Sequence, residues 1–234
     1  MRKKSGYITG LCFLLLIGAC KKDNYDPPGS KFTGALVYKG DSVRVSYGDV
    51  TFQLWQSGWG KLTPINVNVA QDGSFSALLF DGDYKLIIPQ GQGPFLQELN
   101  PDTHSDTIPV HLSGNQRMDI EVLPYYMIRD PSFTAAGSKV TAVFKIEKTV
   151  TDNRAKDVEY AELYVSKTQF VDTRTSIATA RVGGGDIADM DHVSLNVDVP
   201  ARTPAQSYVF ARVGLKIAGV EDMIFTPVTR ISLE

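Results

Sequence analysis

Cys20 is placed where a thiol could accept a lipid. It follows Ile17, Gly18 and Ala19, at the end of a segment with a basic start and an apolar centre, as in secretory signal peptides. The enzyme that attaches the lipid and the peptidase that acts next both need small side chains beside an accessible thiol. We therefore predict that residues 1–20 are a lipoprotein signal peptide with a lipobox and that Cys20 is lipidated.

Two alternatives for this segment are a signal peptide without lipid and a short membrane anchor. The apolar run Leu11–Ile17 is shorter than the roughly 20 residues of a spanning helix, which disfavours the anchor. The chain has two cysteines, and the other one, Cys12, lies inside the predicted signal. Lipidation of Cys20 would therefore leave no thiol for a disulfide, a metal site or a nucleophile.

Two tryptophans could provide flat apolar rings on which a sugar stacks. The apolar residues of Val50–Gln56 alternate, which predicts that Trp55 faces outward and that Trp59 lies in the following loop. The candidate glycan-binding residues are Trp55, Trp59, Gln53 and Gln56, with Tyr38 or Tyr47 as a further member. The alternative is that an indole packs under a loop or between two domains, because aromatic residues are favoured at any interface.

An acidic cluster follows three glycines and consists of Asp186, Asp189 and Asp191, with His192 beside it. Carboxylates at alternating loop positions can hold calcium. The segment lacks the twelve-residue pattern and the closing glutamate of a helix–loop–helix calcium site. We therefore predict a solvated loop and no metal site.

Catalytic patterns are missing from the sequence. His104, His111 and His192 lie in different segments without the spacing of metal ligands, so we expect surface residues. The sequence shows neither a serine with a matched base nor an ordered pair of carboxylates, which are the patterns that would predict hydrolysis. The net charge of −2 and the pI of 5.9 argue against nucleic acid or a polybasic membrane surface as partners. We predict that the protein is not an enzyme and uses no cofactor.

Short strands must position these residues. Residues 21–30 are polar and are predicted to form a flexible tether. Eight runs with strand composition follow, separated by turn residues, and they predict an antiparallel β-sandwich over residues 31–123. These runs are Phe32–Tyr38, Ser42–Tyr47, Val50–Gln56, Ile65–Val69, Phe75–Phe80, Tyr84–Ile88, Thr107–Leu112 and Met118–Val122.

A second series of strands predicts another all-β domain over residues 124–234. Its clearest member is Lys139–Lys148, in which apolar and polar residues alternate. The other runs are Tyr160–Val165, Ile177–Val182, Val193–Val199, Ser207–Ile217 and Met223–Ile231. Tyr208–Lys216 resembles a late strand of fibronectin-type or immunoglobulin-like sandwiches, without the cysteine pair of true immunoglobulin domains. The predicted fold class is all-β, with two tandem antiparallel β-sandwiches.

The segment Asp72–Leu86 resembles the signature hairpin of carboxypeptidase-regulatory-like, or transthyretin-like, sandwiches. In this segment Asp72-Gly73 makes the turn, Phe75 begins one strand, and Gly82-Asp83-Tyr84 begins the next. The resemblance implies a fold for the first domain and carries no activity with it.

The whole order of motifs resembles a domain-of-unknown-function family of Bacteroidetes surface lipoproteins. The likeness starts with the lipobox and Asn24–Asp26 and continues through Gly93–Phe95 to Asp119–Tyr125. Lys22-Asp23 followed by Asp26 also resembles the signal that exports such lipoproteins to the outer cell surface. Members of the family are typically encoded beside SusC/SusD-type glycan importers.

This resemblance implies a non-catalytic lipoprotein in the outer membrane, anchored by lipid and facing the exterior. Its role would be accessory to polysaccharide capture or to assembly of an outer-membrane glycan-import system, with a polysaccharide or an importer protein as partner. The alternative is a protein–protein adhesion or scaffold module that has a fimbrial or outer-membrane partner and no sugar ligand.

Overall fold

β-Strands form nearly all of the regular structure in the part of the chain that the structure describes. The computed structural model describes residues 26–58, 61–96, 99 and 103–233. Cys20 and Trp59 lie outside these residues. Within the described ranges, no helix is long and apolar enough to cross a membrane.

The N-terminal domain consists of two main sheets that pack face to face. Its strands are β1 (Ser30–Tyr38), β2 (Asp41–Ser42), β3 (Thr51–Trp55), β4 (Ile65–Asn68), β5 (Ser74–Leu79), β6 (Gly82–Ile87), β7 (Phe95–Leu96), β8 (Thr107–Leu112), β9 (Gln116–Arg117), β10 (Ile120–Glu121) and β11 (Leu123–Pro124). One sheet has the order β4-β3-β6-β8, and the other is built around β1. The short strands β7 and β11 pair with each other.

Strand β1 pairs along both of its edges. On one edge it is antiparallel to β5, from Ser30 opposite Leu79 to Ala35 opposite Ser74, and then to β2. On the other edge it is parallel to β9 and β10. The predicted all-β fold with antiparallel sheets is confirmed. The pairs of β1 with β9 and β10 are parallel exceptions, because the chain returns after β8 in the same direction as β1.

The C-terminal domain is also a pair of sheets. Its elements are β12 (Tyr126–Ala136), β13 (Lys139–Lys148), β14 (Val158–Ser166), β15 (Ala178–Gly183), a 3₁₀ turn (Gly184–Asp186), β16 (Val193–Asp198), β17 (Tyr208–Ile217), β18 (Ile224–Phe225) and β19 (Thr229–Ser232). One sheet has the order β12-β13-β16, and in the other β17 pairs with β14, β18 and β19 while β15 forms the edge beside β14. The predicted strand Lys139–Lys148 is confirmed, with Val140, Ala142, Phe144 and Ile146 buried.

Two predicted strands are shorter or broken in the structure. In Ser42–Tyr47 only Ser42 belongs to a strand, because the following residues turn toward the second domain and Arg44 forms an isolated bridge with Phe225. Met223–Ile231 is divided into β18 and β19 around Pro227, which has no backbone N–H for a sheet. The long strand β12 is an addition to the strands that the sequence predicts.

The two domains meet in a buried seam. The buried apolar side chains of both domains form one contiguous cluster. The Phe225 amide donates to the Arg44 carbonyl oxygen at 3.0 Å, and the Gly93 amide donates to Oδ2 of the buried Asp222 at 2.7 Å. Burial raises the pKa of the Asp222 carboxyl. Hydrogen bonds and apolar packing therefore join the domains directly.

Candidate functional site

A groove on the outer face of the β4-β3-β6-β8 sheet gathers an aromatic ring and several polar groups. Its volume is about 470 Å³, within the range of roughly 300–1,000 Å³ that is usual for small-ligand sites. Three strands and the loop before β4 provide its walls. The lining includes Trp55, Leu62, Asp83, Lys85, Pro109 and His111.

Strand register fixes the arrangement of these side chains. Lys85 of β6 lies opposite Trp55 of β3 and also opposite Pro109 of β8, so the three residues form one row across the sheet. Asp83 lies opposite His111 two positions further along. Cβ atoms of opposite residues in antiparallel strands are about 4.5–5.5 Å apart, which places the ammonium group of Lys85 within reach of both neighbours.

Trp55 faces outward, as the alternation of β3 predicts. Phe52 and Leu54 point the other way and are fully buried, whereas Trp55 is half-buried. Its indole Nε1 donates a hydrogen bond to Oε1 of Gln53 at 3.2 Å. Because residues two apart in a strand share a face, Gln53 holds the ring in place on the outer surface.

The other predicted members of this surface lie elsewhere. Gln56 donates from Nε2 to the carbonyl oxygen of Asp81 at 3.4 Å, which places it at the β5–β6 turn. Tyr38 is buried, so it cannot offer a ring to a ligand. Tyr47 is 57% exposed but precedes β3, whereas Trp55 ends this strand. Trp59 lies outside the described residues.

The rim of the groove carries a side-chain pair of a carboxylate and an imidazole. Asp83 Oδ1 and His111 Nδ1 are 2.6 Å apart, and both side chains are largely exposed. Lys85 is also exposed. Together these groups offer hydrogen-bond donors and a carboxylate acceptor beside an apolar ring. Such a surface can bind a molecule that has one apolar face and several hydroxyl groups.

The acidic cluster lies on an exposed turn and loop. Asp189 Oδ1 accepts a hydrogen bond from the Asp191 amide at 2.8 Å, and Asp186 lies in the preceding 3₁₀ turn. The described part of the chain contains no group of three or more His, Cys, Asp or Glu side chains that could hold a metal ion. His104 and His192 are exposed and are not among the residues that line the groove.

A buried polar cluster lies on the outer face of β14. The Tyr164 hydroxyl donates to Glu162 Oε2 at 2.6 Å, and Arg181 Nη2 lies 2.7 Å from the same oxygen. Burial, together with the hydrogen bond to Glu162, raises the pKa of the Tyr164 hydroxyl. Because Glu162 and Tyr164 are closed off from solvent, we interpret this cluster as part of the packing between sheet and loop.

The sequence alone does not identify Lys85, Pro109 or the Asp83–His111 pair as site residues. Each of them occupies an outward position of a strand, and this alternation is visible in the sequence. Their approach to Trp55 depends on the order and register of β3, β6 and β8, which the alternation does not specify.

The chain matches two family models. Residues 30–123 match the "Protein of unknown function (DUF3823) N-terminal domain", and residues 126–230 match the "Domain of unknown function (DUF3823_C)". None of the curated proteins matches the chain.

Several solved structures are similar over the whole fold. A DUF3823 family protein from Parabacteroides merdae is 33% identical, and one from Bacteroides ovatus is 31% identical. Both have a TM-score of 0.75, and both matches cover 88% of this chain and 100% of the other. A Bacteroides uniformis protein described as a "putative carbohydrate binding protein" is 17% identical with a TM-score of 0.69, over 88% of this chain and 100% of that one, and it shows the fold alone.

Proposed function

Because this chain belongs to the DUF3823 family, whose two domains have no assigned function, we propose a role from its geometry. The protein is a non-catalytic carbohydrate-binding lipoprotein of the cell surface, and Trp55 is the platform on which a sugar ring stacks. The description of the Bacteroides uniformis structure is in line with this role.

The groove beside Trp55 is the observation that supports a sugar ligand. The outward side of the half-buried Trp55 ring favours the apolar CH face of a sugar, while the ammonium of Lys85 and the Asp83–His111 pair can exchange hydrogen bonds with its hydroxyl groups. The hydrogen bond from Trp55 to Gln53 holds the ring before a ligand arrives, which lowers the entropic cost of binding.

We assign a binding role rather than catalysis to this groove. Hydrolysis of a glycoside usually needs two carboxyl groups on opposite sides of the scissile bond. Among the described residues that line the groove, Asp83 is the single carboxylate, and His111 is paired with it at 2.6 Å.

The proposed location follows from the sequence. A lipid on Cys20 would anchor the protein in the outer membrane, and residues 21–30 would hold its domains away from the bilayer on the exterior. At that position the protein would serve polysaccharide capture for a SusC/SusD-type importer or assembly of the import system.

Substitution of Trp55 tests this proposal. Burying a large apolar side chain is worth about 1.5–3 kcal/mol, and each 1.4 kcal/mol is about tenfold in affinity. We therefore expect Trp55→Ala to weaken binding at least about tenfold in affinity electrophoresis against starch, xylan, pectic galactan and mucin glycans. Leu78→Ala is the matched control, because Leu78 is 60% exposed on the other sheet and should leave binding unchanged.

Two results would contradict the proposal. One is a wild-type protein that binds none of these glycans, and the other is a Trp55→Ala variant that binds as well as Leu78→Ala. The melting temperatures of both variants should be measured first, so that a loss of binding can be separated from a loss of folding.

A further inference from the structure

A pair of aromatic rings is exposed at the seam between the domains. Tyr47 lies between β2 and β3, and Phe170 lies between β14 and β15. Their ring centroids are 5.7 Å apart at an interplanar angle of 67°, in an edge-to-face arrangement. Tyr47 is 57% exposed and Phe170 is 45% exposed, so each ring leaves much of its surface to solvent. Each domain thus contributes one half of the pair.

Arg174 holds the two halves together. It donates from Nη2 to the Tyr47 carbonyl oxygen at 2.8 Å and from Nη1 to Asp49 Oδ1 at 3.0 Å, both in the N-terminal domain. It also donates from Nε and Nη2 to Oδ2 of Asp172 in its own loop, at 3.2 and 2.8 Å. The Thr175 hydroxyl donates to the Phe170 carbonyl oxygen at 2.7 Å. The backbones that carry both rings are therefore fixed by the same loop.

One N–H group of the Arg174 guanidinium can donate a hydrogen bond to a ligand. An arginine has five N–H groups, and the four hydrogen bonds to described residues engage four of them. The fifth is on Nη1, and the side chain is 55% exposed. Because the guanidinium is bonded to the Tyr47 carbonyl oxygen, this donor lies near a residue that carries one of the two rings. Aromatic rings with a hydrogen-bond donor nearby suit a ligand ring that has hydroxyl groups.

We propose that Tyr47, Phe170 and Arg174 form a second carbohydrate-binding site, which takes another sugar unit of the same polysaccharide. This inference rests on the proposed function. The apolar surface here consists of two partly exposed rings of at most roughly 150–250 Å² each, which is small beside the roughly 800 Å² that each partner buries in a stable protein interface. A sugar unit suits this area better than a protein does.

The two sites differ in position, which predicts how they act together. Tyr47 precedes β3 and Trp55 ends it, so the length of this strand separates the sites. A long glycan can contact both, and its second contact then forms at a high effective concentration. A short oligosaccharide occupies one site at a time.

The test uses the purified protein and two substitutions that remove an aromatic side chain and leave the backbone hydrogen bonds in place. Tyr47→Ala and Phe170→Ala keep the carbonyl oxygens to which Arg174 and Thr175 donate, so both variants should fold, with a small loss of melting temperature from the removed ring contact. The probes are whichever of starch, xylan, pectic galactan or mucin glycans the wild type binds, and a trisaccharide of the same repeat.

We expect each variant to bind the polysaccharide roughly tenfold more weakly than Leu78→Ala does, with binding of the trisaccharide by Trp55 retained. Polysaccharide binding equal to that of Leu78→Ala would overturn the second site, while a loss in Trp55→Ala would still support the proposed function. If the wild type binds no glycan, both proposals fail. If Phe170→Ala instead abolishes binding of a protein partner and leaves glycan binding intact, the seam is a protein contact and the second site is wrong.

Discussion

The guanidinium of Arg212, in strand β17 of the C-terminal domain, donates from Nη1 to the carbonyl oxygen of Val45 in the N-terminal domain at 3.0 Å. Arg212 is fully buried, lies 3.7 Å from the centre of the Phe225 ring and also donates to the Val171 carbonyl oxygen. Burial lowers the pKa of this guanidinium to about 10. A buried cation thus ties the two domains through backbone carbonyls.

Arg212→Ala should destabilise the protein by about 3 kcal/mol or more. The substitution leaves two buried carbonyl oxygens without a donor, at about 1–3 kcal/mol each, and opens a cavity beside Phe225. Arg212→Met fills much of the space and should cost less than Arg212→Ala. Urea unfolding followed by circular dichroism measures both, and equal losses would show that packing contributes little.

The Asp172 carboxylate should stabilise the protein against acid. Burial opposes its charge, but hydrogen bonds from Arg174 and Thr175 outweigh this effect and lower its pKa. A lowered folded-state pKa adds stability above the unfolded-state value of about 3.9, and this stability is lost as the pH falls through the folded-state value. The wild type should therefore lose this contribution below about pH 4.

Asp172→Asn isolates this contribution from that of other aspartates. At pH 7 the variant should be about 1–2 kcal/mol less stable, because neutral hydrogen bonds are weaker than charge-assisted ones. The difference in unfolding free energy between wild type and variant should shrink as the pH is lowered from 5 to 3. A difference that stays constant over this range would contradict the assignment.

Gly34 should tolerate no side chain. A Cβ atom at this position in β1 would lie 1.8 Å from the carbonyl oxygen of Met118, so the backbone would have to move. We expect Gly34→Ala to cost at least about 1–3 kcal/mol in thermal unfolding experiments. Gly29→Ala is the control, because nothing lies within 4 Å of the position that its methyl group would occupy, and a similar loss in both variants would refute the steric argument.

Lipidation should depend on Cys20. Cys20→Ala removes the thiol that the lipobox presents, whereas Cys12→Ala changes a residue inside the predicted signal and should leave lipidation intact. Metabolic labelling with a fatty-acid analogue distinguishes the two variants. Label that persists at the wild-type level in Cys20→Ala would disprove the lipobox.

The sequence predicts strands well where alternation is regular. Lys139–Lys148 is such a case, and its bounds agree with those of β13. Strand β12 is not evident from the sequence because it has a register shift between Arg129 and Ser132, where Asp130 has a φ of 48° and Pro131 follows. A bulge of this kind changes which face each side chain occupies, so the period of two is lost in the sequence.

Long-range contacts determine the features of the fold and of the candidate site that the sequence does not predict. The outward position of Trp55 follows from its neighbours in β3, but the approach of Lys85 depends on strands that are thirty residues apart in the chain. Val45 looks like a strand residue in the sequence, yet its carbonyl oxygen accepts a hydrogen bond from Arg212, 167 positions later. Local patterns carry no information about such partners.

The pairing of β1 along both edges has a mechanical consequence. If Cys20 is anchored and a bound polymer pulls along the axis of β1, the force enters the chain just before this strand. The backbone hydrogen bonds from β1 to β5 on one edge and to β9 and β10 on the other are then loaded together in shear. They do not break one after another, as they would if the strand were pulled away from one end. In that case the first strand after the anchor would act as a clamp that resists the force on the attached domains.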